Sequence, residues 1–236
     1  MDVIVAVSST ALNAASEATA TIPIIAIDLE TDPVAKGFAT SLARPSKNIT
    51  GVFLYLPELS GKRLQLLKEL IPKLNRVAVL WDPGLDPTPL KSAQGAARTV
   101  GVDLQIATAS RREDFAQAFR KATRQHAGAL LVIRSPAFDV YAKDIAGLAL
   151  KYRLPSIGVF NGFARSGGLM SYGPDLRALF AQGANYVDRI LMGAQAGNLP
   201  IERPVRFELV VNAKTGKALG LTIPQPLLVR ADEIIQ

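Results

Sequence analysis

Residues 76–107, RVAVLWDPGLDPTPLKSAQGAARTVGVDLQIA, contain one strand–helix–strand unit. The apolar runs at 76–81 and 104–107 predict two buried strands. A helix is expected between them, with Thr88 as its cap and Gly101 just past its end. Because strands joined by a helix of this length normally pair in parallel, this stretch predicts an α/β fold.

The same alternation continues on both sides of this unit, so the sequence predicts parallel sheets covered by helices. A capping box is expected where Ser110 and Glu113 begin the next helix, and a last short helix is expected over 227–235. The natural architecture is two α/β lobes, the first built from both chain ends and the second from the middle. The predicted strands are 3–7, 22–27, 49–53, 76–81, 104–107, 129–133, 155–159, 168–172 and 207–211.

The first predicted strand, from Val3 to Val7, does not alternate apolar with polar residues. Such a run predicts burial on both faces of the strand. Nothing precedes it that could pair with it, which makes it an edge strand. Since natural proteins avoid leaving apolar edges open, we expect a partner chain to cover it, as a symmetric homodimer through the first lobe.

Composition excludes several classes of protein. The chain has 236 residues, a net charge of +7 and no cysteine, which rules out disulfides and thiolate metal sites. The basic residues are scattered among acids without interleaved aromatics, so nucleic-acid binding is not expected. His126 is the sole histidine, and glycine-rich nucleotide motifs and metal-ligand spacings are missing. We therefore expect no metal, no cofactor and no enzymatic activity.

Polar and aromatic residues follow the predicted strands. In open parallel sheets ligands bind outside the carboxyl ends of the strands, so this set predicts recognition of a small polar or amphipathic molecule. Each residue alone is also a common cap or turn former. For Ser8, Ser9 and Thr10, ligand contact and capping of their own helix are equally supported. The candidate ligand-binding residues are Ser8, Ser9, Thr10, Asp28, Tyr55, Asp82, Arg134, Ser135, Asn161, Tyr172 and Asp175.

Four segments resemble one known family. They are TSLARPSKNITGV at 40–52, GKRLQLLKELIPKLNRVAVLWDP at 61–83, GGLMSYGPD at 167–175 and FELVVNAKTGKALGLTIP at 207–224. The chain is similar along its whole length to the ABC-transporter substrate-binding proteins of the tryptophan/tyrosine type.

The resemblance implies a type I periplasmic-binding-protein fold, with two Rossmann-like doubly wound lobes that close on a ligand. Residues 1–52 and 168–236 would form the first lobe and 53–167 the second. Family members carry roughly 80 more residues ahead of Asp2, so the first lobe is expected to be incomplete, lacking its first two βα units. Weakened ligand binding is expected from that loss.

The family's cleft can be carried onto this chain position by position. Best understood amino-acid binders have an asparagine where this chain has Asp82 and an Asn-Ser pair shortly after it, near Asp86. These two acids would place negative charge beside the cleft, which weighs against an aromatic amino acid as ligand. The matching positions are Ser8, Ser9 and Thr10 in the first-lobe loop, Asp82, Ser135 and Asn161 at second-lobe strand ends, and Tyr172 with Asp175 at the return crossover.

The resemblance also implies a partner and a location. A solute-binding component of an ABC importer would deliver its ligand to permease subunits from the periplasm or as a cell-envelope lipoprotein, and this chain itself shows no signal-peptide pattern. The alternative is a ligand-sensing regulatory domain of the same fold, in which closure drives an attached output module.

Overall fold

The computed structural model describes residues 1–28, 32–53 and 59–236. Strands and helices alternate along the chain, as the sequence predicts. The strands are β1 Ile4–Val7, β2 Ile24–Asp28, β3 Ile49–Phe53, β4 Arg76–Trp81, β5 Asp103–Thr108, β6 Ala129–Val132, β7 Ser156–Gly158, β8 Met170–Pro174, β9 Phe207–Asn212 and β10 Glu233–Ile235. The helices are α1 Ser9–Ala18, α2 Leu59–Leu70, α3 Thr88–Val100, α4 Arg112–Arg124, α5 Pro136–Val140, α6 Ala142–Lys151, α7 Asn161–Arg165, α8 Leu176–Leu191, α9 Ala213–Ala218 and α10 Gln225–Arg230.

The chain divides into two compact units. Unit 1 comprises Met1–Leu56 and Pro174–Arg206, and unit 2 comprises Pro57–Gly173 and Phe207–Gln236. Unit 1 contains a three-stranded sheet in the order β1-β2-β3, and the second sheet has seven strands in the order β10-β9-β8-β7-β6-β4-β5. Strands β4 to β8 pair in parallel, which confirms the predicted α/β class.

The sheet of unit 2 is covered on both faces. In β4, Val77 and Val79 pack in one apolar cluster with Leu64 and Leu67 of α2. The alternate residues Ala78 and Leu80 pack in a second cluster, which contains Phe115 of α4 and Ile145 of α6. Because successive side chains of a strand point to opposite faces, an apolar run such as β4 requires a helical layer on each side.

In unit 1 the helices α1 and α8 pack on the sheet. Leu12 of α1 is fully buried in a cluster with Ala6 and Ile24. On the other face, a Cβ atom at Gly183 of α8 would lie 2.8 Å from the Cδ1 atom of Ile27 in β2. Glycine at this position therefore lets the helix approach the sheet closely.

The prediction that the first strand is buried on both faces is wrong. In β1 only Ala6 is buried, whereas Val5 is 48% exposed and Val7 is 43% exposed. Within residues 1–28, 32–53 and 59–236, β1 pairs with β2 alone, in parallel, with Val5 opposite Ile25 and Val7 opposite Ile27. Val5 and Val7 stay exposed although Ile25 and Ile27 beside them are buried, so an apolar sequence does not ensure that the layer covering a sheet extends over its edge strand.

The predicted lobe boundaries differ from the structure at the C-terminal end. The sequence places all of 168–236 in the first lobe, but only Pro174–Arg206 lies in unit 1. β8 pairs with β7, with Met170 opposite Ile157, and β9 and β10 extend the same sheet. Periodicity identifies a strand but does not say which of two sheets it joins, and this is why the prediction failed here.

Two local predictions also change. The carboxylate that caps α4 belongs to Asp114, which accepts hydrogen bonds from the backbone N–H groups of Ser110 and Arg111 at 3.0 Å each; Glu113 is not the capping acid. These two bonds hold the pKa of the Asp114 carboxyl below its usual range. The helix expected over 227–235 is instead α10 followed by β10, which pairs with β9.

Candidate functional site at the carboxyl edge of the sheet

The sheet of unit 2 contains a topological switch point between β4 and β6. The chain leaves β4 to form β5 on one side and then returns to form β6 on the other side of β4. Ligands of open α/β sheets bind outside the carboxyl ends of the strands at such a point. Asp82 follows β4, and Arg134 and Ser135 follow β6, so three predicted residues flank the switch point.

The carboxylate of Asp82 is held by three donors. Its Oδ1 accepts from the hydroxyl of Ser110 at 2.7 Å and from the backbone N–H of Gly84 at 3.1 Å. Its Oδ2 accepts from the hydroxyl of Ser135 at 3.0 Å. Asp82 thus joins the loops that follow β4, β5 and β6, and both of its oxygens are engaged within the protein.

Arg134 directly precedes Ser135, one of the three donors to Asp82. Its guanidinium carbon lies 5.6 Å from the ring centroid of Phe160, which precedes α7 at the end of β7. Its Nε lies 3.6 Å from Oδ2 of Asp139, and its side chain is 17% exposed. A guanidinium in contact with a ring face is held flat, an arrangement that suits recognition of a planar or anionic group.

A second arginine lies at the same end of β6. Arg63 of α2 is 2% exposed, and its Nη1 donates to the carbonyl of Val132, the last residue of β6, at 3.4 Å. Its Nη2 donates to the hydroxyl of Ser60 at 3.3 Å. Burial lowers the pKa of Arg63 to about 10. Positive charge is therefore concentrated where β6 ends.

Aromatic residues also lie along this edge of the sheet beyond β7. Tyr172 in β8 stacks on Phe207 of β9 with ring centroids 6.3 Å apart and planes 21° from parallel. Both rings are half-buried, and Asn161, also half-buried, begins α7. From β5 to β8 the edge thus carries Ser110, Asp82, Arg134 with Ser135, Phe160 with Asn161, and Tyr172.

Ser8, Ser9, Thr10 and Asp28 lie at the carboxyl ends of the strands of unit 1. Ser8 separates β1 from α1 and has a φ of 101°, a conformation that non-glycine residues rarely adopt. Its hydroxyl accepts from the backbone N–H of Ala11 at 3.3 Å, so Ser8 caps its own helix. Ser9 and Thr10 form the first turn of that helix.

The two predicted carboxylates of unit 1 have different surroundings. Asp28, the last residue of β2, is fully buried. Asp175 caps α8 by accepting from the backbone N–H groups of Arg177 at 2.9 Å and Ala178 at 3.2 Å, and its Oδ2 lies 3.4 Å from Nε of Arg206. Tyr55 lies outside the described residues.

The structure divides the predicted set between the two units. Ser8, Ser9, Thr10, Asp28 and Asp175 lie in unit 1, and Asp82, Arg134, Ser135, Asn161 and Tyr172 in unit 2.

Sequence reasoning missed Ser110 and Arg63, whereas Phe160 follows a predicted strand, as Asn161 does. Ser110 follows β5 as Asp82 follows β4, so the strand-end rule identifies it. Arg63 lies inside a helix, and a sequence pattern gives no indication that it reaches the end of β6.

A family model described as ABC transporter substrate binding protein matches residues 1–235. The chain belongs to this family. Similarity to individual proteins is more distant. A tyrosine-binding protein from Clostridioides difficile is 27% identical over 225 residues, which are 93% of this chain and 63% of that protein. The chain thus spans less than two thirds of the length of this relative.

Solved structures share the fold. A conserved domain protein from Vibrio cholerae superposes with a TM-score of 0.87 at 26% identity, over 99% of this chain and 78% of the other. An ABC domain from Streptococcus pneumoniae, solved in complex with L-Trp, has a TM-score of 0.88 at 22% identity, over 99% and 79%. At that identity the second likeness establishes the fold alone.

Proposed function

We propose that this protein is a solute-binding component of an ABC importer. The observation that carries the proposal is the row of polar and aromatic side chains at the switch point of unit 2, where this fold class binds ligands. Family membership supports a transport role over the alternative of a ligand-sensing regulatory domain. The row contains no histidine, and in this proposal the protein binds its solute without chemical turnover.

The proposed ligand is an aromatic amino acid or a related aromatic acid. The tyrosine-binding relative supports this class, as do the half-buried ring of Phe160 against Arg134 and the stacked rings of Tyr172 and Phe207. The two acids that weigh against it have structural roles. Asp82 is engaged by three donors, and Oδ1 of Asp86 accepts from the backbone N–H of Thr88 at 2.8 Å at the start of α3.

The proposal also includes a location and a partner. A component of this kind works outside the cytoplasm and passes its solute to permease subunits of the importer. In the described part of the chain, no helix has both the length and the apolar character needed to cross a bilayer.

We further propose that the edge of β1 associates with a second copy of the chain. The exposed side chains of Val5 and Val7 support this, as does the position of β1 at the end of the strand order β1-β2-β3 in the part of the chain that the structure describes. Unpaired strand edges readily accept another strand.

A thermal-shift panel of amino acids, aromatic acids and nucleosides tests the solute-binding role. A solute that binds the folded protein raises Tm in proportion to the logarithm of its concentration above Kd. Trp81, the sole tryptophan, ends β4 beside Asp82, so its fluorescence reports binding at the switch point independently. If no member of the panel changes Tm or Trp81 emission at millimolar concentration, the proposed function is wrong.

A further inference from the structure

The carboxyl end of β6 combines three features that bear on what the site can recognise. Arg134 presents a flat guanidinium against the ring of Phe160. Arg63 adds a second, buried cation that donates to the carbonyl of Val132. Positive charge at the carboxyl end of a strand therefore comes from two different elements, α2 and the β6–α5 loop.

Two acids also lie near this point, and other groups of the protein engage both of them. Both oxygens of Asp82 accept hydrogen bonds from Ser110, Gly84 and Ser135. Asp139, whose side chain is 46% accessible, lies with its Oδ2 at 3.6 Å from Nε of Arg134. A guanidinium carries five N–H donors in a rigid fork and stays positively charged within an ion pair.

The ring of Phe160 supplies apolar surface against Arg134, and the stacked pair Tyr172 and Phe207 supplies more along the same edge of the sheet. An arginine fork matches a carboxylate, whereas an ammonium group would be repelled by both arginines. A solute at this position should therefore bind more tightly when its aromatic ring carries a carboxylate than when it carries an amine.

We propose that Arg134 recognises the carboxylate of the solute, so that this protein selects aromatic carboxylates and rejects the corresponding amines. The inference rests on the proposed solute-binding function and adds which group of the ligand is required. Arg134 is the specificity-determining residue. Arg63 contributes the positive electrostatic potential of its guanidinium at the end of β6.

Three phenyl compounds test this by isothermal titration calorimetry. L-phenylalanine has both charged groups, 3-phenylpropanoate lacks the ammonium group, and 2-phenylethylamine lacks the carboxylate. We expect the wild-type protein to bind both carboxylates at least about 10-fold more tightly than the amine, because a charge-assisted hydrogen bond is lost with the carboxylate.

Variants at Arg134 separate charge from geometry. Arg134→Gln should weaken binding of the two carboxylates by about 10- to 100-fold and leave the amine unchanged or slightly favoured. Arg134→Lys should retain part of the affinity, since it keeps the charge without the planar fork. The matched control Arg120→Gln, an exposed arginine on α4, removes one positive charge elsewhere and should leave all three affinities unchanged. Unaltered Trp81 emission and urea unfolding would show that each variant is folded.

Several results would overturn the inference. Among these are equal affinity of wild type for the amine and the carboxylates, an equal loss for all three compounds in Arg134→Gln, and a matching loss in Arg120→Gln. Binding of a nucleoside or another neutral solute, with no binding of the carboxylates, would also overturn it while leaving the solute-binding function intact. Failure of the whole solute panel would instead refute the proposed function.

Discussion

The hydroxyl of Ser135 donates to Oδ2 of Asp82 across 3.0 Å, although the two residues are 53 positions apart in the chain. This bond links the ends of β6 and β4, the two strands that flank the switch point. With Ser110 and Gly84 it makes Asp82 the acceptor that holds three loops together. The candidate site therefore depends on a carboxylate that serves the protein rather than the ligand.

Replacing this carboxylate should destabilise unit 2. Asp82→Ala leaves three donors without their acceptor and should lower the free energy of unfolding by about 2–4 kcal/mol, whereas Ser135→Ala should cost about 1 kcal/mol. Urea unfolding followed by Trp81 fluorescence measures both, because the sole tryptophan lies in unit 2. Asp103→Ala, at an exposed aspartate of β5, is the control and should stay within about 0.5 kcal/mol of wild type. Equal losses of unfolding free energy in Asp82→Ala and the control would refute the role of Asp82 in holding the three loops together.

The backbone of Ser8 predicts opposite effects for two small substitutions. Its φ of 101° costs a non-glycine residue about 1–3 kcal/mol. Ser8→Gly removes this strain and loses only a few tenths of a kcal/mol as a cap, so it should stabilise unit 1 by about 1 kcal/mol. Ser8→Ala keeps the strain and loses the cap, and it should destabilise by about 1 kcal/mol. Amide hydrogen exchange over α1 and β1 compares the stability of each variant with that of the wild type. A lower stability of Ser8→Gly would contradict the strained conformation of Ser8.

Tyr186 should make the stability of unit 1 sensitive to alkaline pH. Its ring is 2% exposed, its hydroxyl donates to the carbonyl of Pro200 at 2.5 Å, and burial together with the charge of Glu202 raises the pKa of the phenol. The folded state favours the neutral phenol, so its contribution is complete below the unfolded pKa of about 10 and is lost as the pH rises beyond it.

Tyr186→Phe is the matched variant for this effect. It should cost about 1 kcal/mol at neutral pH, because the carbonyl of Pro200 loses this donor. Between about pH 9 and about pH 11 the wild type should lose more Tm than the variant does. Thermal unfolding by circular dichroism measures the difference, in which effects common to both proteins cancel. Parallel pH curves would contradict the prediction.

Light scattering tests self-association through β1. We expect a dimer mass for the wild type and a monomer mass for Val5→Lys, because a charge on the exposed face of an edge strand opposes strand addition. Lys143→Gln, on α6 of unit 2, is a charge-changing control that should leave the mass unchanged. A wild-type monomer at all concentrations, with rapid amide exchange in β1, would refute the proposed dimer.

The sequence was sufficient for the class of fold and for most of the elements, with β10 as an exception. In β4, five apolar residues in succession predict burial on both faces, and helical layers cover both faces. The same reasoning failed at β1, since an apolar sequence cannot say whether other elements cover both faces of the strand. It also failed for β8 and β9, because pairing between distant segments, such as Met170 with Ile157, leaves no local pattern.

For the candidate site, the strand-end rule found Asp82, Arg134 and Ser135, which the structure places at the switch point. It did not show that Asp82 is engaged by Ser110, because hydrogen bonds between loops depend on strand order. Arg63 was missed for a related reason. A long side chain can extend from a helix to a neighbouring strand, and residue type alone does not reveal its direction.

The close approach of α8 to β2 at Gly183 has a consequence for synthesis of the chain. β2 is complete by residue 28, but the helix that covers Ile27 begins only at residue 176. On the ribosome, β1 to β3 emerge with that face exposed to solvent while strands β4 to β8 are being made. Domains usually fold in the order in which they are synthesised. Here β1 to β3 precede β4 in the chain but are among the last elements to complete their unit, so a slow or interrupted ribosome prolongs the exposure of an apolar sheet.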